Sequence, residues 1–200
     1  MQIILSTRNP SKAEQIKAMF NNPSFEVITL SEAGIEGEAV EDGTTLQENA
    51  LKKALYAFEN AHHDTWAMAD DTGLFINALD GQPGIKAARW AGESATTDEM
   101  TQFTLDQLRD KEDRTGFFET AVALISPEGE HHFFSGKVGG HFLTSPRTKP
   151  QPKMPYSPLF VPEGTNLVWA EMSIEQENAI SHRGKAFGQV VAFLEDMIKN

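Results

Sequence analysis

The sequence predicts an α/β fold, and three observations carry that expectation. The chain opens as strand, turn cluster, helix and second strand; two adjacent acids stand in a turn at the end of a later apolar run; a hairpin and an amphipathic carboxyl-terminal helix follow. With 200 residues, 40% of them hydrophobic, the chain can bury a core without disulfide or metal staples and is expected to form one domain over residues 1–200.

Gln2 to Ser6 is a short apolar run that stops at Thr7-Arg8-Asn9-Pro10-Ser11, after which Ile16, Met19 and Phe20 fall at helical spacing. Ser11 and Glu14 have the spacing of a capping box, so the loop from Ser6 to Pro10 is expected over a helix amino end, where exposed N–H groups favour an anion. Phe25 to Leu30 reads as the second strand and Ser31 to Gly43 as an acidic connection. Leu46, Ala50, Ala54 and Phe58, with Leu51 and Leu55 beside them, give a helix from about Thr45 to Asn60.

Thr65 to Ala69 and Leu74 to Leu79 read as two strands separated by a turn, Asp70-Asp71-Thr72-Gly73. Gly81-Gln82-Pro83-Gly84 follows as a rigid loop, and Thr97 to Leu108 as a helix through Met100, Phe103, Thr104 and Leu108. Phe117 to Ile125 and Glu130 to Val138 make a hairpin around Ser126-Pro127-Glu128-Gly129. Prolines at 146, 150, 152, 155, 158 and 162 leave most of the stretch from Gly139 to Pro162 irregular. The final helix starts at Ser181-His182-Arg183-Gly184 and carries Phe187, Val191, Leu194 and Ile198 on one face.

Composition excludes several classes. A net charge of −12, from 29 acidic against 17 basic residues, opposes the phosphate-backbone attraction on which long nucleic-acid binding depends. No apolar run reaches the 18 or so residues of a membrane span, and the amino terminus lacks the order of a signal peptide, so a soluble cytoplasmic protein with no membrane partner is expected. The absence of cysteine removes thiol nucleophiles, thiolate metal sites and disulfide frameworks.

The chemistry gathers on acids and cations. A turn after a strand can bring Asp70 and Asp71 near one cation, and carboxylates without sulfur or clustered imidazole suit Mg²⁺ or Mn²⁺; the plain alternative is that Asp71 caps a turn before Gly73. Glu48 has an equally plain reading as the partner of Thr45 in a capping box, but opposite Asp70-Asp71 it would complete an open Mg²⁺ site for phosphorylated substrates. Lys12, Lys53, Arg89, Arg183 and Lys185 stand beside loops or helix starts, where they can focus positive charge in one cleft. The pairs His62-His63 and His131-His132 read as surface, whereas His182 stands at a helix start where imidazole and guanidinium can present donors to carbonyl oxygens.

Taken together, Thr7-Arg8-Asn9-Pro10-Ser11-Lys12, Glu48-Asn49-Ala50, Ala69-Asp70-Asp71-Thr72-Gly73-Leu74, Pro83-Gly84-Ile85 with Arg89, and Ser181-His182-Arg183-Gly184-Lys185-Ala186 resemble the inosine triphosphate pyrophosphatase (XTP/dITP diphosphatase) family, in order and spacing over nearly the whole chain. The resemblance implies an elongated, two-lobed α/β fold around a central twisted mixed sheet with flanking helices, an active cleft between the lobes and a homodimer. It also implies Mg²⁺-dependent hydrolysis of noncanonical purine nucleoside triphosphates such as ITP, dITP and XTP to the monophosphate and pyrophosphate. By it Thr7, Asn9, Lys12 and Lys53 would hold the triphosphate; Glu48 and Asp71 would bind Mg²⁺; Asp71, supported by Asp70, would orient or deprotonate the attacking water. Arg89, Tyr156, Ser181, His182 and Arg183 would complete the substrate site, His182 and Arg183 facing the 6-oxo group of the purine.

The chain departs from the family pattern at two places. Where Gly-Phe-Gly-Tyr/Trp-Asp-Pro is usual, it has Lys153-Met154-Pro155-Tyr156-Ser157-Pro158, and in the segment usually written Glu-x-Lys-Asn-x-x-Ser-His-Arg the lysine has become Glu177. Two alternatives to the main expectation follow: a nucleotide-binding or regulatory protein with weak catalysis, and a pyrophosphatase with shifted base specificity.

Overall fold

A computed structural model describes residues 1–61 and 64–199, which build one mixed seven-stranded sheet with helices on both faces. β1 (Gln2–Leu5), α1 (Pro10–Lys17) and β2 (Glu26–Thr29) form a parallel β-α-β unit, and α2 (Leu46–Asn60) returns the chain to β3 (Trp66–Ile76), parallel to β1 on its other side. Every later pairing is antiparallel: β4 (Pro83–Gly84) and β5 (Thr115–Ile125) with β3, β6 (His131–Phe142) with β5, and β7 (Phe160–Pro162) with β6. The path across the sheet is β2-β1-β3-β5-β6-β7. Three more helices complete the chain: α3 (Thr97–Gln107), α4 (Ile174–Ile180) and α5 (His182–Lys199).

β3 organises the molecule. Successive side chains of a strand face opposite ways. Its even positions meet α1 and α5: Trp66 and Met68 pack with Ile16, Phe187, Val190 and Leu194 in one core, while Leu74 and Ile76 pack with Phe118, Phe142 and Phe160 in another. Between these cores the same face carries Asp70 and Thr72. On the opposite face Ala69 packs with Ala50 and Ala54 of α2, where small side chains let helix and sheet approach closely. Two apolar cores toward opposite ends of one ribbon, separated by a polar step, are the two lobes.

Four expectations need correction. Asp70-Asp71-Thr72-Gly73 is not a turn: β3 runs unbroken from Trp66 to Ile76, held extended by continuous pairing with β5 from Ala67↔Ile125 to Ile76↔Gly116. α1 is capped by Asn9, whose Oδ1 accepts from Lys12 N, with Pro10 in the first turn, so Ser11 lies inside the helix. β6 continues through Gly139 and Gly140 to Phe142, which leaves residues 143–159 as the irregular stretch. His132 is half-buried rather than a free surface residue: its ring stacks on Trp66 and meets Phe193 at 4.5 Å between centroids. His62 and His63 lie outside the described residues. The sequence reading also passed over α4, a short polar helix marked by a capping box of Ser173 and Gln176.

The first turn of α5 lies against β6 at Gly136, where an added Cβ would stand 2.1 Å from the His182 carbonyl oxygen and 2.7 Å from Ala186 N. Gly136→Ala is therefore expected to force helix and strand apart at a cost of about 1–3 kcal/mol. In a thermal melt this reads as a Tm lower by about 5 °C or more; a Tm within about 1 °C of wild type would contradict the close approach.

Candidate active site

The site begins at a gap in the sheet. Pairing of β1 with β3 ends at Leu5↔Met68, followed by one bond from Ser6 N to the Met68 carbonyl (2.8 Å), and β4 takes up the same side of β3 only at Leu74↔Gly84. Ala69 to Gly73 thus keep a free edge on that side. At a free edge, side chains from both faces of a strand can reach one cleft, so the divergence of Asp70 and Asp71 does not separate their surroundings.

On one face Asp70, 1% exposed, meets Lys12 Nζ at 2.8 Å and Arg183 Nε at 3.6 Å; Lys12 Nζ also donates to the Asp70 carbonyl at 3.2 Å. Burial would raise the Asp70 carboxyl, but the Lys12 and Arg183 charges outweigh it and hold the group down at about 2. Burial lowers Lys12 in spite of that pairing. Arg183 is fixed in turn by Gln15, whose Oε1 accepts from Nη1 at 2.7 Å.

On the other face Asp71 accepts from Lys53 Nζ at 2.9 Å on Oδ1 and from Asn49 Nδ2 at 3.1 Å on Oδ2; Lys53 also meets Glu41 at 3.2 Å. Burial alone would lower Lys53, but the Asp71 and Glu41 charges outweigh it and raise the ammonium. Lys53 is therefore a firmly charged group in the cleft wall.

These groups open onto a cleft of about 620 Å³. Thr7, Asn9, Lys12, Lys53 and Asp71 line it together with Tyr156, His182 and Arg183. Thr7 Oγ1 accepts from Asn9 N, which fixes the first loop. Its far wall is aromatic: His182 stacks on Phe118 with centroids 5.1 Å apart and meets Trp169 edge-on, and the Tyr156 hydroxyl donates to the Ala87 carbonyl. Burial pushes the His182 imidazole well below its ordinary range, so it is neutral.

Four proposed site residues stand back from this lining. Asp70 lies beneath it. Ser181 is fully buried, its Oγ accepting from Gly184 N to cap α5. Arg89 donates to the Glu41 carbonyl at the rim. Glu48 is exposed; its N–H bonds Thr45 Oγ1, as a cap requires, but its carboxylate turns to Thr44. The sequence reading missed Asn49, the link from Asp71 to α2, and the wall formed by Phe118 and Trp169, which carry no signal beyond ordinary core apolarity.

The donors fit a hard cation. Asp71, Glu41 and Glu48 offer oxygen only, and among the described residues no three His, Asp or Glu side chains cluster tightly enough to cage a metal.

A strap from the irregular stretch closes the cleft on one side. Asn9 Nδ2 and Ser11 Oγ donate to the Lys153 and Pro152 carbonyls, and Lys153 Nζ donates to the Arg8 carbonyl. Lys153 itself adopts φ 57°, a left-handed conformation that costs a non-glycine residue about 1 kcal/mol.

Removing Asp70 would leave Lys12 and Arg183 buried and unpaired. Asp70→Asn is expected to lower stability by about 3–5 kcal/mol in denaturant titration. Because the folded-state pKa lies below the ordinary 3.8, the stabilisation is present above that value and is lost as pH falls toward about 2. Wild type should show this acid loss and the variant should lack it; superimposable pH profiles would refute the role.

The sequence matches the model of the Ham1 family over residues 3–193. Curated relatives include the dITP/XTP pyrophosphatase of Thermoanaerobacter pseudethanolicus, 39% identical over 188 residues, which are 93% of this chain and 92% of that protein. Among solved structures, the Ham1 protein of Coxiella burnetii aligns with a TM-score of 0.83 at 30% identity, covering 98% of this chain and 99% of that one. The Staphylococcus aureus Ham1 protein aligns with a TM-score of 0.82 at 31% identity, covering 98% and 100%. Sequence match and fold agree over nearly the full length, and the chain belongs to the Ham1 family.

Proposed function

We propose that the protein is a nucleoside triphosphate pyrophosphohydrolase that converts noncanonical purine nucleoside triphosphates, ITP, dITP and XTP among them, to the monophosphate and pyrophosphate. Relatives named dITP/XTP pyrophosphatase support the reaction class. The observation that carries the reading is the pairing of two cleft lysines with adjacent acids on the free edge of β3, next to an aromatic wall. Lysines suit a triphosphate, the wall suits a base, and Asp71 borders the same cleft.

In this reading Lys12 and Lys53, with the backbone N–H groups at the start of α1, hold the phosphates. Asp71 orients a water toward the α-phosphorus and takes or relays its proton, while Asn49 and Lys53 keep the carboxylate aimed. Oxygen of the water bonds to the α-phosphorus as the bond to the bridging oxygen breaks, and the electron pair leaves with pyrophosphate. By the resemblance Asp71 and Glu48 would hold Mg²⁺ or Mn²⁺, which would supply neutralisation of phosphate charge, and Glu48 would have to turn from Thr44 to do so. Asp70 acts at one remove, by fixing Lys12 and Arg183. The homodimer and the cytoplasmic location are inferences from the resemblance; among the described residues no helix is long and apolar enough to cross a membrane.

Pyrophosphate release with Mg²⁺ across ITP, dITP, XTP and the standard nucleotides tests the reading. Asp71→Asn is expected to lower kcat by about 100-fold or more with an unchanged circular dichroism spectrum. An unaltered rate would refute the role of Asp71, and nucleotide binding without turnover in wild type would favour a regulatory protein.

A further inference from the structure

The strap carries a lysine where the family pattern has a glycine. Gln151 and Met154 bridge across a tight turn, the Met154 N–H donating to the Gln151 carbonyl at 2.9 Å, with Pro152 and Lys153 as its inner residues. Lys153 takes the left-handed position, φ 57°, which glycine adopts without strain and a residue with a Cβ does not. The chain keeps the strained conformation and gains a long cationic side chain. A strained residue held beside a cleft points to use of that side chain.

The side chain is rooted and aimed. The Lys153 carbonyl accepts from Asn9 Nδ2 at 3.3 Å and the Pro152 carbonyl from Ser11 Oγ at 3.0 Å, which fixes this backbone against the start of α1. Nζ crosses to the Arg8 carbonyl at 3.3 Å, so an ammonium stands over the loop that leads into α1. Lys12, Lys53 and Lys153 all line the cleft. Lys12 is matched by Asp70, and Lys53 by Asp71 and Glu41, whereas Lys153 has no carboxylate partner among the described residues. An ammonium has three N–H donors, and the bond to Arg8 uses one. Arg8, the other cation of this loop, spends its guanidinium on the Ile35 and Gly37 carbonyls and Ser31 Oγ. The lysine charge left uncommitted in this cleft is that of Lys153, and phosphate oxygens are the acceptors that suit it.

We infer that Lys153 is a further phosphate-binding residue, a third lysine supplied by the strap, which donates to oxygens of a bound polyphosphate where the family pattern offers no side chain. The contact is to charge present before and throughout bond cleavage, so it tightens binding and leaves the chemical step alone. The inference rests on the triphosphate reading above and adds to it a residue peculiar to this chain.

The test compares wild type with Lys153→Gly, Lys153→Met and Lys153→Arg. Lys153→Gly relieves the left-handed strain and Lys153→Met keeps the strain and the bulk, so the two remove the charge with opposite effects on the backbone. Calorimetry with inorganic pyrophosphate and Mg²⁺ is expected to give a Kd about tenfold higher in both, with Lys153→Arg within about threefold of wild type. KM for ITP is expected to rise by a similar factor while kcat stays within about twofold. The gap between wild type and Lys153→Met should narrow as salt is raised from about 0.05 to 0.5 M, which a purely structural lysine would not produce. Kd and KM unchanged in both Lys153→Gly and Lys153→Met, or a loss confined to kcat, would overturn the inference. Pyrophosphate binding that depends on residue 153 without nucleotide turnover would defeat the hydrolase reading alone, whereas turnover with Kd and KM indifferent to residue 153 would defeat this inference alone.

Discussion

The buried Asp70 carboxylate joins three distant parts of the chain, and the geometry of the cleft follows from it. Lys12 comes from the first helix, Arg183 from the last and Asp70 from the central strand, so residues far apart in sequence meet at one charge. Such a cluster is a poor source of net stability, because taking ions out of water offsets much of their attraction. It gives definition instead. The β3–β5 ladder already fixes the two apolar cores along one ribbon; the charge cluster between them fixes where the first and last helices, through Lys12 and Arg183, meet that ribbon.

The free edge of β3 is the second constraint. Strand geometry sends Asp70 and Asp71 to opposite faces, and in the middle of a sheet they would serve unrelated surroundings. Between the end of β1 and the start of β4 they instead border one opening, each matched to its own lysine from its own helix. Adjacent acids thereby divide their labour. Asp70, sealed and held ionised, is structural, while Asp71 faces the cleft.

Periodicity and end signals made the long elements legible: α2, α3, α5 and the β5-β6 hairpin depend on local patterns of apolar residues. What sequence could not convey was set by distant pairing. Asp-Asp-Thr-Gly has every local mark of a turn, and only the neighbouring β5 keeps it extended. Asn9 rather than Ser11 caps α1 because Pro10 fits the first helical turn. At the site, charged residues stood out against an apolar background, so Lys12, Lys53, Asp71 and Arg183 could be picked by type. Phe118 and Trp169 could not, since an aromatic facing a cleft and one facing a core are alike until the fold decides between them.

The strap at Lys153 ties the loop of the recognition end to the amino end of α1 through bonds from Asn9, Ser11 and Lys153. Asn9 also caps that helix, so its side chain serves both at once. Any displacement of the strap must therefore pull on the first turn of α1, where the proposed function puts the phosphates. Under the proposed function, the segment beside the base and the turn beside the phosphates are thus mechanically one unit, and a nucleotide spanning both ends would brace it where either half alone would not.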